Sequence, residues 1–128
     1  MSDISAAWAQ HVEAIESGYE FMLAYAAQGQ IQDDPTGSGS PVRQSLEKMY
    51  SALEGLGNTA EQLAGEKNLG DYQAFLNAMN ADAKKAQAGI QLVLAKSAIS
   101  SQLIDNLNAS VHLRTLLTDL FLIDEALK

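Results

Sequence analysis

Apolar residues recur at alternating intervals of three and four along most of this chain, and that spacing constrains the fold more than any other feature of the sequence. Such spacing places an apolar stripe along one side of a helix. It runs through four segments of about 25 to 30 residues, each roughly 40 Å long as a helix. A strand would require alternation of period two, and no convincing run of that kind occurs. We therefore predict an all-α fold, an elongated antiparallel four-helix up-down bundle that residues 1–128 form as a single domain.

Signals for helix ends divide the chain at three places. Gly29 can end the first helix, and Ser40-Pro41 offers an N-cap followed by proline at the first helical position. A Gly-Asp pair at 70–71 separates the second helix from the third. The stretch 97–101 has serines but neither glycine nor proline, so a fusion of the third and fourth helices stays open. The predicted helices span residues 3–28, 41–66, 71–96 and 101–127, with a flexible link over 29–40.

Two glycines interrupt the second predicted helix. Gly55 and Gly57 each cost about 1 kcal/mol relative to alanine inside a helix, which leaves a break at this point open. The apolar stripe nevertheless keeps its phase from Leu53 through Leu56 to Leu63. We therefore expect one helix, with a kink as the alternative.

Composition argues against several kinds of function. The chain has no cysteine, which excludes disulfides, thiolate nucleophiles and cysteine-ligated metals. A net charge of −8 argues against nucleic-acid binding, which depends on Lys and Arg side chains that contact phosphates. No stretch approaches about 18 consecutive apolar residues, and the N-terminal segment lacks the regions of a secretory signal. We therefore expect no membrane contact and a cytoplasmic protein.

Negative charge is concentrated in the first third of the chain. Residues 1–42 contain no Lys or Arg. Three acids, Glu13, Glu16 and Glu20, are spaced so that they share one side of the first helix. The structural interpretation is a solvated acidic face. The functional interpretation is a docking face for a basic partner.

The C-terminal segment LRTLLTDLFLIDEALK, residues 113–128, is apolar nearly all the way round. On one continuous helix at about 100° per residue, Leu107, Leu117 and Phe121 share the side that we expect to face the core, and a second stripe lies more than about 90° away. We call this second set the C-terminal stripe, and it comprises Leu113, Leu116, Leu120, Ile123 and Leu127. If exposed, it would form an apolar patch of several hundred Å², which monomers seldom carry.

The C-terminal stripe is therefore predicted to be an interaction surface. Its partner would be a second copy of the chain, giving a homodimer, or an amphipathic helix of another protein. The alternative is that the fourth helix lies deep in the bundle, so that the stripe packs within its own chain.

Motifs for metal, cofactor or hydrolytic chemistry are missing from the sequence. Neither histidine is preceded by glutamate at the Glu-x-x-His spacing of di-iron bundles. His11 lies on the apolar stripe of the first helix, where a single histidine more often packs than binds haem. There is no G-x-S-x-G elbow, and no phosphate-binding loop with its lysine. We expect no enzymatic activity, no metal and no cofactor.

His112 supports an alternative function, that of a phosphotransfer module. Phosphotransfer domains are helical bundles that carry an exposed histidine in the middle of a helix, typically followed by x-x-Lys-Gly. His112 is predicted to meet water, but the sequence continues Leu113-Arg114-Thr115-Leu116. The glycine is missing and the cation lies one position early, so this function is the second choice.

A third hypothesis is that the bundle binds a small apolar ligand. The small residues Gly18, Ala83 and Ala86 would leave room between helices, although tight packing is their more common role. The principal hypothesis is a non-enzymatic interaction or regulatory bundle that self-associates through its C-terminal helix.

Overall fold

The computed structural model describes residues 3–33, 39–66 and 70–126. Within these ranges every regular element is helical, which confirms the prediction of an all-α fold. The described chain has five α-helices instead of four, because the predicted fourth helix is divided in two. They are α1 (Asp3–Ala26), α2 (Pro41–Glu66), α3 (Gln73–Leu94), α4 (Ser101–Ala109) and α5 (His112–Ala126), and a 3₁₀ turn at Gly70–Tyr72 precedes α3.

α2 runs unbroken through Gly55 and Gly57, as the phase of the apolar stripe predicts. Both glycines lie where neighbouring helices approach closely. A Cβ atom at Gly55 would lie 3.2 Å from His11 Nε2, and one at Gly57 would collide with the side-chain oxygen of Asn80. The loss of helix stability that these glycines cause is thus offset, because they let α1 and α3 pack closely against α2.

The third and fourth predicted helices are separate. α3 ends at Leu94, and Ser100 precedes α4 as its N-cap. The Ser100 Oγ accepts a hydrogen bond from the Leu103 N–H at 3.0 Å. A serine in this place satisfies a backbone donor that the first turn would otherwise leave free. The serines of the stretch 97–101 therefore start a helix without the help of glycine or proline.

α1 packs against α2 on one side and against α4 and α5 on the other, while α3 packs against α2, α4 and α5. Trp8 near the start of α1 contacts Asp124 near the end of α5. Tyr25 near the end of α1 contacts Ile99, just before α4. α1 is therefore antiparallel to the segment that contains α4 and α5. None of the described helices is both long and apolar enough to cross a membrane.

Asp33 joins the links at one end of the molecule. Its carboxylate accepts hydrogen bonds from Ser40 Oγ at 2.6 Å and from the Ile99 N–H at 2.7 Å, and Arg43 Nε lies 3.5 Å away. These contacts hold the described part of the link that the sequence predicts to be flexible. Residues 34–38 of that link lie outside the described residues.

A break at Ser110 and Val111 divides the predicted fourth helix. Val111 has a φ angle of +59°, in the left-handed region that residues branched at Cβ rarely adopt. On a continuous helix at about 100° per residue, the buried Ile104 of α4 and Leu120 of α5 would point to nearly opposite sides. The break turns α5 so that both helices bury their apolar faces in one core.

The described part of the C-terminal stripe is consequently internal. Its four described members, Leu113, Leu116, Leu120 and Ile123, are at most 4% exposed and belong to the core. Leu127 lies outside the described residues. The prediction of a surface stripe is wrong, because it assumed one continuous helix, and the alternative of packing within the chain describes α5. These four side chains leave no free face for a second copy.

Candidate functional site

A shallow groove runs along the surface between α1 and α5, and we call it the α1–α5 groove. It has two hollows, of about 240 Å³ and about 320 Å³, that share Glu16. The first hollow includes Trp8, Val12, Glu13, Glu16 and Asp124. The second includes Glu16, Tyr19, Glu20, Arg114, Leu117 and Phe121. The groove therefore combines apolar and charged side chains from two helices.

The floor of the groove is apolar. Trp8 and Val12 lie one helical turn apart on α1 and are only 6% and 7% exposed, and Leu117 of α5 is 7% exposed. The Trp8 indole N–H donates a hydrogen bond of 2.9 Å to Asp124 Oδ1. This bond fixes the start of α1 against the end of α5, so the two walls of the first hollow are held together.

The rim of the groove is acidic. Glu13, Glu16 and Glu20 follow one another at intervals of three and four along α1, which brings all three to the groove. None of them forms an ion pair with a basic side chain in the described part of the chain. Like charges at these intervals repel each other by a few tenths of a kcal/mol. The structure thus places the predicted acidic face beside an apolar surface and leaves its charge uncompensated.

Phe121 is the large apolar side chain that the groove exposes. It is 55% exposed in the second hollow, beside the buried Leu117. The sequence, taken as one continuous helix, predicts Phe121 on the core side. The apolar positions on α5 alone, counted from the break, would have shown that Phe121 faces away from Leu116 and Leu120.

The two histidines lie on different helices, and neither lines the α1–α5 groove. His112 is exposed, as predicted, but it is the first residue of α5 and not a residue in the middle of a helix. His11 is partly buried and packs against the backbone of α2 at Gly55. Among the described residues, no three His, Asp or Glu side chains lie close enough together to hold a metal ion.

The interior offers little room for an apolar ligand where the helices meet near Trp8. The space open to a water-sized molecule among Trp8, Leu63, Leu76 and Ile123 is about 10 Å³, which is close to the volume that one water molecule requires. Gly18 is covered by the Met49 side chain, which would collide with a Cβ atom there. Gly18 thus has the packing role, and no ligand volume is open at either place.

An aspartate pair between α3 and α5 was not predicted from the sequence. Burial, together with a hydrogen bond and the charge of Asp82, raises the pKa of Asp119 to about 7. Asp119 Oδ2 is buried and no nearby donor stabilises its ionised form, which acts in the same direction on the pKa. The two residues are far apart in sequence and follow no shared motif. This pair therefore became visible only in three dimensions.

The exposed Phe121 and three glutamates without an ion pair to a described basic side chain line the same α1–α5 groove. Its geometry suits the binding of another molecule. No protein-family model, no curated protein and no solved structure matches this chain.

Proposed function

We propose that this chain is a non-enzymatic interaction module whose α1–α5 groove binds a basic amphipathic helix of another protein. The observation that carries the proposal is an apolar floor bordered by three glutamates that have no basic partner. A helix with an apolar face and flanking Lys or Arg residues complements both features. The surrounding architecture is proposed to be an up-down bundle in which α4 and α5 together form the fourth rod.

The apolar part of the groove supplies most of the affinity. Complete burial of a phenylalanine side chain contributes about 1.5 to 3 kcal/mol. More than half of the Phe121 surface is exposed, and a partner can cover it. The glutamates contribute chiefly to the association rate and to selectivity, because exposed charges are screened by salt. Binding is therefore expected to weaken moderately, and not to vanish, as the salt concentration rises.

The partner is a different protein and not a second copy of this chain. The described part of the C-terminal stripe is buried, so it offers nothing to a second copy. Two grooves facing each other would bring Glu13, Glu16 and Glu20 against the same acids. Like charges across an interface oppose association. The homodimer expected from the sequence is therefore not part of the proposal.

The test is a fluorescence titration that uses Trp8, the single tryptophan of the chain and part of the groove floor. The probe is an alanine-rich peptide of about 14 residues, or roughly 20 Å as a helix, with leucines on one face and lysines beside them. We expect a saturable change in Trp8 emission. A peptide with glutamate in place of every lysine serves as the control and should not produce this change.

Phe121→Ser tests where the peptide binds. The variant should weaken binding at least about fivefold, because truncation of an aromatic anchor costs more than about 1 kcal/mol. Leu92→Ser is the matched control, since Leu92 is a 70% exposed apolar residue of α3 outside the groove. Equal losses in the two variants, or no emission change with the wild type, would show that the groove is not the binding site.

A further inference from the structure

We infer that the α1–α5 groove selects a helix with two apolar anchors about two turns apart and a basic residue between them, an inference that rests on the proposed function. The spacing follows from the two hollows. Their lining residues on α1 are centred about seven positions apart, or roughly 10 Å along the helix axis. The lining residues on α5 give nearly the same separation. A helix lying in the groove therefore places residues i and i+7 over the hollows.

The position between the anchors faces a negative charge. Glu16 lines both hollows and is partly buried, whereas the exposed Glu13 lines the first hollow and the exposed Glu20 lines the second. A partner residue at i+3 or i+4 lies on the same side as both anchors and comes close to Glu16. A Lys or Arg there pairs with a carboxylate that a bound helix would otherwise remove from water without compensation.

The second hollow carries the one basic side chain among the groove residues named above. Arg114 lines it from α5, opposite Glu20 on α1, whereas the first hollow has Glu13, Glu16 and Asp124 and no base. The charge of the groove is thus uneven along its length. Arg114 offsets part of the negative charge of the second hollow, so a partner Lys or Arg is attracted less strongly there than at the first hollow.

The spacing is tested with two peptides of identical composition. In one, two leucines are separated by seven positions and a lysine lies four positions after the first. In the other, the leucines are separated by five positions, which turns them about 140° apart on the helix. We expect the first peptide to bind at least about tenfold more tightly, measured by Trp8 emission. Equal affinities would overturn the two-anchor inference.

The central charge is tested by exchange of partners. Glu16→Lys should weaken binding of the lysine peptide about fivefold or more, and it should strengthen binding of a peptide with glutamate at the central position. Glu47→Lys is the control, because it makes the same change in net charge at an exposed position of α2. If Glu47→Lys has the same effect as Glu16→Lys, the attraction is a general one and the central contact does not exist.

The uneven charge is tested by Arg114→Gln, which should tighten binding of the lysine peptide by about two- to threefold. Lys84→Gln, at an exposed position of α3, is the matched control and should have a smaller effect.

The results also separate this inference from the proposed function. If both peptides bind equally but Phe121→Ser still weakens them, the groove is a docking site without the selectivity inferred here. If neither peptide changes Trp8 emission, the proposed function fails as well.

Discussion

Asp33 is buried and Asp119 is partly buried, but their surroundings shift the pKa of the two carboxyl groups in opposite directions. Burial alone would raise the pKa of Asp33, yet hydrogen bonds from Ser40 and from the Ile99 N–H, with the charge of Arg43, hold that pKa below its ordinary value. At Asp119, burial and the neighbouring Asp82 carboxyl both act to raise the pKa. The comparison shows that the hydrogen-bond donors around a carboxylate, more than its burial, decide whether its charge stabilises this fold.

The difference extends to the helices around the two aspartates. The contacts of Asp33 continue through Arg43, whose guanidinium donates to the carbonyl oxygens of Leu94 and Lys96 at 3.0 Å and so completes the end of α3. α5, in contrast, carries the Asp119 carboxyl group and follows Val111, whose φ angle is unfavourable. α5, which forms one wall of the α1–α5 groove, is therefore packed with two unfavourable features, whereas the contacts of Asp33 stabilise the end of α3.

The largest expected effect belongs to Asp33. Asp33→Ala leaves the Ile99 N–H without its acceptor and removes the carboxylate beside Arg43 Nε, and the loss of such buried, charge-assisted contacts costs about 3 kcal/mol. The free energy of unfolding in urea measures this loss. Asp105→Ala, at an exposed position of α4, is the control and should change stability by less than about 0.5 kcal/mol. A similar small change in both variants would remove the distinction between the two aspartates.

The pH dependence of stability sharpens the comparison. Asp119 has a pKa of about 7 in the folded chain against an ordinary value of 3.8 when unfolded, so its contribution is complete below pH 3.8 and is lost as the pH rises through 7. Asp33 has a lowered pKa, so its contribution is present above 3.8 and is lost as the pH falls through the lowered value. For these two groups, stability should thus decline on both sides of an optimum near pH 4.

Asp119→Asn should remove the decline of stability at neutral pH and leave the decline at low pH unchanged. The gain at pH 8 is expected to reach up to about 1 kcal/mol, because solvent screens a carboxyl group that is only partly buried. Asp82→Asn should have the same sign, since it removes the neighbouring charge. Thermal unfolding between pH 5 and pH 8 provides the measurement, with the exposed Asp71→Asn as control. If the wild type is most stable above pH 7, Asp119 does not hold a proton at neutral pH.

The sequence predicted those features that depend on local patterns. The apolar spacing indicated the all-α fold and the continuity of α2, and the cap residue Ser40 marks the start of α2, where its Oγ accepts from the Arg43 N–H at 3.2 Å. The glutamates of the groove followed from their spacing on one helix. The aspartate pair did not, because its members belong to helices that only the fold brings together.

The break before α5 was missed for a different physical reason. Neither Ser110 nor Val111 carries the glycine or proline signal that commonly ends a helix, and valine is a poor choice for a positive φ angle. Without that signal, the core side and the solvent side of the C-terminal helix were exchanged in the prediction. The C-terminal stripe was therefore predicted to be exposed and Phe121 to be buried. A requirement that Ile104 and Leu120 share one core would have indicated the break.

The smallest expected effect concerns this break. A left-handed conformation costs an ordinary residue about 1 to 2 kcal/mol, and glycine adopts it without that cost but loses about 0.5 to 1 kcal/mol of chain entropy on folding. Val111 is 47% exposed, so its side chain contributes little packing. Val111→Gly should therefore stabilise the fold by about 0.5 to 1 kcal/mol in urea unfolding. Ala81→Gly, in the exposed part of α3, should instead destabilise it by about 1 kcal/mol, because glycine is unfavourable inside a helix. Opposite signs for these two glycine variants would locate the strain at Val111, whereas a loss of stability in both would mean that α4 and α5 join without a left-handed residue.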